Sequence, residues 1–271
     1  MSIQEKETSP EVASQPLEGT RIVVTRPLNQ SIRFSECLTN LGSQVIQMPT
    51  VKISEPSDLQ DLDRAVCCLP DFDWVVFTSS NAIHSFTESA RRMGICLVES
   101  LSNTEVCCVG PETARISESY GMDVETVPMI HTGEAIVELF RSHGDLSGKK
   151  FLIPLGSQAR PTVSEGLEGL GARVAVVLAY ETLPVLKVPS ETLTKVQTGV
   201  DLLTFTSPST VQSFHDLVGG EVCAPAAVIG PVTAEQAEKL GYEVVAQATE
   251  YSTQGLLKSI VKYFVNNTKK I

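Results

Sequence analysis

Residues Phe205–Phe214 read FTSPSTVQSF, and an earlier stretch, Phe77–Phe86, reads FTSSNAIHSF. Five of the ten positions are identical, and Val211 and Phe214 stand where Ile83 and Phe86 stand. In both copies an apolar run (LLTF, WVVF) leads into a hydroxyl-rich turn and then into apolar residues at helical spacing. Val211, Phe214 and Val218 fall at i, i+3 and i+7, one stripe of a helix. Runs that are apolar throughout, with no alternation, mark strands buried on both faces, and such strands belong to parallel sheets covered by helices. The stretch reads as one strand–turn–helix step of an α/β fold.

The recurrence extends along the chain. RIVVTRP (Arg21–Pro27) has a counterpart in KFLIPLG (Lys150–Gly156), and the Leu41-Gly42 pair one in Leu170-Gly171. DWVVFTS answers DLLTFTS, VCCVGPETARISESYGMDVE answers AAVIGPVTAEQAEKLGYEVV, and HTGEAIVELF answers YSTQGLLKSI. These five segments recur in one order at offsets of 129, 129, 128, 120 and 120, as a duplicated unit of about 120 residues would. Alternating strand and helix gives two doubly wound parallel-sheet lobes of about five strands each. Periodicity alone cuts the chain near residues 141–150, RSHGDLSGKK. The sequence does not exclude a swapped arrangement, in which each lobe borrows its first strands from the other repeat.

Composition sets the bounds. The chain has 271 residues, 42% hydrophobic and 20% charged, with a net charge of −11. Residues 1–20 are polar, acidic and proline-bearing, and read as a disordered tail with neither a secretory h-region nor an Arg-rich transit pattern. No apolar run is long enough for a membrane helix, and the negative charge disfavours nucleic acid. The seven cysteines lack C-x-x-C spacing, so thiols packed in a cytoplasmic core, and no metal, are expected. His84, His131, His143 and His215 are scattered, and no G-x-S-x-G elbow appears.

The turns TSSN, GPET, TSPS and GPVT put hydroxyls or glycine where a strand hands over to a helix. Any one of them is explained by capping, worth about 1 kcal/mol, with Pro111 and Pro231 at first helical positions and Gly241 as a left-handed cap. Glu112 and Glu235 suit first turns. Together the turns line the carboxyl ends of the strands, where open α/β sheets bind ligands, and helix N-termini there favour anions. With no phosphate-loop signature, the pattern fits a large polyanion held across two lobes.

The segments VVFTSSNAI, CCVGPETA, LGSQARP running on to VVLAYET, LLTFTSPSTVQSF and VIGPVTAEQAEKLGYEV resemble the uroporphyrinogen-III synthase family, over Arg21 to about Ile260. The resemblance implies two flavodoxin-like lobes joined by a two-stranded connection, residues 21–49 plus 182–271 and residues 50–181. It implies a hydro-lyase of tetrapyrrole (porphyrin, heme) biosynthesis that needs no cofactor. Such an enzyme dehydrates and cyclises hydroxymethylbilane, a linear tetrapyrrole carrying eight carboxylates, with its last pyrrole inverted. By motif match, Tyr180 is the candidate catalytic group, its phenol holding the leaving hydroxyl or the inverting pyrrole; packing in the connection is its bland alternative. Ser79, Thr113, Ser207 and Thr233 are candidate carboxylate-binding residues, with Arg26 and Arg160 as charge partners. A monomer in the cytoplasm is expected. The competing readings are a two-lobed small-ligand binding protein and a sugar-phosphate isomerase.

Overall fold

The computed structural model describes residues 15–220 and 222–268. The chain opens with β1 (Arg21–Val24), α1 (Leu28–Asn40), β2 (Gln44–Gln47) and β3 (Val51–Ser54). There follow α2 (Gln60–Cys67), β4 (Trp74–Phe77), α3 (Ser80–Met93), α4 (Leu97–Ser100), β5 (Glu105–Cys108) and α5 (Pro111–Ser119). The middle of the chain supplies α6 (Gly133–Ser142), β6 (Lys150–Gly156), α7 (Thr162–Glu168) and β7 (Arg173–Pro184). The remainder is α8 (Ser190–Gln197), β8 (Leu202–Phe205), α9 (Pro208–Val218), β9 (Ala226–Val228), α10 (Pro231–Lys239), β10 (Val244–Gln247) and α11 (Thr253–Thr268).

These elements make two compact units. One joins the described residues up to Lys52 with those from Pro184 onward; the other is Ile53–Leu183. The first unit holds a sheet in the order β10-β9-β8-β1-β2, all of whose pairings are parallel. The second holds β3-β7-β6-β4-β5, with β7, β6, β4 and β5 parallel. The periodicity cut at residues 141–150 is therefore not where the units divide. β1 lies against β8 in the first unit, and β6 against β4 in the second.

Why the strands are apolar throughout is visible in β4. Val75 and Phe77 pack into one core with Ile83 and Phe86, while Trp74 and Val76 pack into another with Phe140 and Phe151. In the first unit β1 divides the same way, Val23 facing one core and Ile22 and Val24 the other. Helices cover both faces, so alternation has no solvent side to report. The one polar residue inside β8 is satisfied by the neighbouring strand. Thr204 Oγ1 donates to Val23 O at 2.8 Å, and Thr25 Oγ1 returns a bond to Thr204 O at 2.7 Å.

Each central pair is pinned at its amino end by an aspartate. Asp201 N donates to Arg21 O at 2.9 Å, and Asp201 Oδ2 accepts from Arg21 N at 2.6 Å. Asp73 N donates to Lys150 O at 2.9 Å, and Asp73 Oδ2 accepts from Lys150 N at 2.8 Å. Lys149 Nζ adds a bond to Asp73 Oδ1 at 2.8 Å.

Three expectations change. Of the stretch expected as a tail, residues 1–14 lie outside the described residues. Residues 15–20 form a folded turn, with Leu17 fully buried beside Phe34 and Leu38 and its N–H bonded to Leu41 O. One leucine offers enough apolar surface to anchor a short polar segment. The cysteines are mostly not core residues: Cys107 and Cys108 are buried on β5, whereas Cys37, Cys67, Cys68, Cys96 and Cys223 are exposed, on polar faces that an apolar-run reading passes over. Glu235 lies beyond the first turn of α10 and pairs with Lys239.

The bonds from Lys149 and from the Lys150 amide hold the Asp73 carboxyl below its ordinary value of 3.8. A depressed folded-state pKa stabilises above the unfolded value and loses that contribution as pH falls through the folded one. Asp73→Asn, which resembles the protonated acid, should be less stable than wild type at pH 7. The gap between their urea midpoints should close as pH drops below 3.8; a gap constant with pH would contradict the ion-pair role.

Candidate functional site

Parallel pairing brings the carboxyl ends of the strands in each unit to one edge of the sheet, and the expected residues stand there. In the second unit, Ser79 follows β4, caps α3, and accepts from Ala82 N at 3.2 Å. Its hydroxyl donates onward to Tyr180 Oη at 3.1 Å. Ser79 and Tyr180, one hundred and one positions apart, are thus brought into direct contact. The direction of the bonds matters. Ala82 N–H fills a lone pair of Ser79, Ser79 fills a lone pair of the phenol, and the phenol's own proton is left to be given elsewhere.

Tyr180 is held against the end of β6. It is the register partner of Gly156, and its carbonyl accepts from Ser157 N at 3.0 Å. Ser157 Oγ in turn accepts from Thr182 N at 3.1 Å. The ring lies so close over Gly156 that a Cβ there would stand 2.6 Å from Tyr180 Cε2 and 2.7 Å from its Oη. Gly156 is required by this approach, since no side chain fits beneath the phenol.

Thr113 is buried in the first turn of α5, behind Gly110 and Pro111. Arg160 is exposed in the loop between β6 and α7, and has no carboxylate partner among the described residues.

The first unit repeats the arrangement. Ser207 caps α9, accepting from Thr210 N at 3.3 Å, while Thr210 Oγ1 accepts from Ser207 N at 3.2 Å. Ser207 Oγ also lies 2.9 Å from Ser209 Oγ. Thr233 is buried in the first turn of α10, the position Thr113 holds in α5. Arg26, just past β1, is half-buried and donates from Nη2 to Gln30 Oε1 at 3.1 Å.

Neither the buried thiols nor the helix histidines offer a competing centre. Burial pushes the Cys107 and Cys108 thiols up to about 12, which leaves them neutral and unreactive. His84 Nδ1 meets Tyr120 Oη at 3.0 Å and His215 Nδ1 meets Tyr242 Oη at 3.4 Å, as satisfied helix side chains do. Among the described residues no group of three His, Cys, Asp or Glu could hold a metal ion.

A family model described as uroporphyrinogen-III synthase HemD matches residues 32–258. The chain belongs to the uroporphyrinogen-III synthase family. Among its relatives in that family, the uroporphyrinogen-III synthase of Synechococcus elongatus is 30% identical over 267 residues, 93% of this chain and 98% of that protein. The uroporphyrinogen-III synthase of Chlorobaculum parvum is 26% identical over 228 residues, 82% and 90% of the two chains. A mutant uroporphyrinogen III synthase from Thermus thermophilus matches in fold with a TM-score of 0.63 at 17% identity, covering 92% of this chain and all of that one. The Helicobacter pylori uroporphyrinogen-III synthetase does so at 0.58 and 17%, covering 90% and 98%. At these identities the solved structures establish the α/β fold with its two parallel-dominated sheets.

Sequence reasoning missed Ser157 and Gly156. Gly156 stands within the quoted LGSQARP motif, but only the strand register reveals what covers it. Gly156→Ala should push the Tyr180 ring aside and break the Ser79–Tyr180 bond, at an overpacking cost of about 1–3 kcal/mol that leaves the fold intact. A crystal structure of the variant checks this; a bond still near 3.1 Å would mean the phenol is not held by the glycine.

Proposed function

We propose that this protein is a uroporphyrinogen-III synthase, converting hydroxymethylbilane to uroporphyrinogen III with loss of water and inversion of the last pyrrole, in porphyrin biosynthesis. Family membership over residues 32–258 carries the reading, and it displaces the ligand-binding and isomerase alternatives. The donated hydrogen bond from Ser79 to Tyr180 is the structural observation that gives it chemistry.

Tyr180 acts as the general acid. Its phenolic proton, left over by the Ser79 bond, goes to the departing hydroxyl, which leaves as water. The pyrrole carbon that forms the new bond then gives up a proton, which restores the Tyr180 phenol, so that water is the one small product released. Ring closure without inversion competes with this step, so the enzyme's work is a difference between two transition states, met by orientation. Thr113, Thr233 and Ser207 take carboxylate arms, with Arg26 and Arg160 as charge partners, while Ser79, whose one proton is given to Tyr180, holds the phenol in place. Hydrogen bonds to charged groups contribute about 1.5–3 kcal/mol each, so a few hydroxyls and amides suffice without a basic surface.

We read the architecture as a duplicated flavodoxin-like unit with its first strands exchanged between lobes, 21–49 plus 182–271 and 50–181. The recurring offsets and the order β2-β1-β8-β9-β10 support this. We place the enzyme in the cytoplasm as a monomer; its exposed free cysteines fit a reducing compartment. None of the described helices is long and apolar enough to cross a membrane.

Incubation with freshly made hydroxymethylbilane, followed by separation of the isomers, tests the activity. Wild type should give isomer III, and isomer I alone at the spontaneous rate would refute the assignment. Tyr180→Phe should lower kcat for isomer III by about 10²–10⁴-fold, the range of general acid catalysis, in a folded protein. Undiminished turnover would remove Tyr180 from the chemistry.

A further inference from the structure

Tyr180 over Gly156 is one of three similar contacts, each at the carboxyl end of a strand. Past β5, a Cβ at Gly110 would lie 3.1 Å from His131 Cγ and 3.2 Å from His131 Cβ. Past β9, a Cβ at Gly230 would lie 3.3 Å from Tyr251 Cδ1 and 3.5 Å from Tyr251 Cε1. In both cases the ring follows its glycine by 21 residues, and the two pairs are 120 apart. Neither glycine is there for backbone freedom. Gly110 has φ −167 and Gly230 φ −178, extended values open to any residue. What the two positions share is the absence of a side chain beneath a ring.

The rings rest on their glycines yet stay open to solvent. His131 is exposed, and Tyr251 is 54% exposed. Each has exposed apolar neighbours. Met129 and Ile130, just before His131, are 99% and 67% exposed and help line a hollow of about 440 Å³. Val232, two residues past Gly230, is 47% exposed. The chain following each ring is also fastened the same way: Ala135 N donates to Thr132 Oγ1 at 3.2 Å, and Gly255 N to Ser252 Oγ at 3.0 Å. A held ring, with bare apolar side chains beside it and a buried threonine three residues past its glycine, suits a ligand that is flat and apolar in its rings and anionic at its arms.

We propose that His131 and Tyr251 are substrate-contact residues, each packing against a pyrrole ring whose carboxylate arms reach the neighbouring Thr113 or Thr233. This rests on the synthase reading and adds to it what holds the pyrroles themselves. Hydroxyls can fix the arms, but a pyrrole that must invert also needs its plane defined. A ring backed by glycine is a firm surface, with little rotamer freedom to lose on binding.

Steady-state turnover of hydroxymethylbilane by variants at both positions tests this. His131→Ala and Tyr251→Ala should raise KM about three- to tenfold, the range of an aromatic contact, and increase the share of isomer I. His131→Phe and Tyr251→Phe, which keep a ring, should stay within about twofold of wild type. Thermal melting checks that each variant is folded. Where an alanine variant is not, His131→Leu or Tyr251→Leu fills the space without a flat ring and carries the same expectation. Wild-type KM and isomer ratio in the folded alanine or leucine variants would overturn the inference while leaving the synthase reading intact. Phenylalanine variants as impaired as alanine would also overturn it, because the polar atoms and not the rings would then matter. A wild-type protein that makes only isomer I would end both.

Discussion

The pairing of β1 with β8 and of β6 with β4 is the constraint on which the rest depends. Each joins strands far apart in the chain, so loop closure has to be offset before either pair gains anything. The buried threonines Thr25 and Thr204 and the aspartates Asp73 and Asp201 sit at these seams. An aspartate whose side chain and amide both engage the partner strand fixes its register, and a slip of one residue would turn every inward side chain to the wrong core. Because all four strands run parallel with their neighbours, fixing register at the amino end also fixes which residues emerge at the carboxyl end. Ser79 reaches Tyr180 for that reason.

Glycine shapes the edge that results. Gly110, Gly156 and Gly230 are placed at or just past the end of a parallel strand, and each admits a ring to the backbone. The approach is tightest at Gly156, where any side chain would collide with the phenol, and looser at the other two. This grading fits the roles proposed for the three rings. A group that donates a proton to one atom has to be positioned within a fraction of an ångström, whereas a packing surface tolerates a few tenths.

Much of this was legible in the residues, and the part that was not has identifiable causes. Apolar runs such as WVVF and LLTF gave away parallel strands because both faces of the sheet are covered, and Ser79, Ser207, Pro111 and Pro231 marked helix starts through local capping chemistry. Those signals are short-range. The pairing of β1 with β8 and of β6 with β4 was not readable from periodicity, since β1 and β6 have similar apolar sequences and either could pair with β4 or β8 on hydrophobicity alone. Leu17 was hidden in a polar stretch, where one buried side chain leaves no period. The rings at His131 and Tyr251 were quoted as the first letters of a repeat, HTGEAIVELF and YSTQGLLKSI, yet a histidine aligned with a tyrosine reads as a mismatch until both are seen over glycine. Their shared property is a flat side chain, which identity scoring does not record.

The net charge of −11 sits awkwardly with the chemistry, since such a protein is asked to take up a polycarboxylate. The proposed site would resolve it with mostly neutral donors beside only two arginines, Arg26 and Arg160. Hydroxyls and amides bind a carboxylate over short range, while the long-range field of the surface acts on the rate of encounter. A basic cleft would speed encounter, but it would hold substrate, product and both ring-closure transition states alike, and uniform binding of that kind adds nothing to kcat. Directional hydrogen bonds and ring contacts discriminate by geometry, and geometry is all that separates closure with inversion from closure without it. The proposed site of serines, threonines and glycine-backed rings is therefore suited to choosing between two products of the same charge and composition, which a field of lysines could not tell apart.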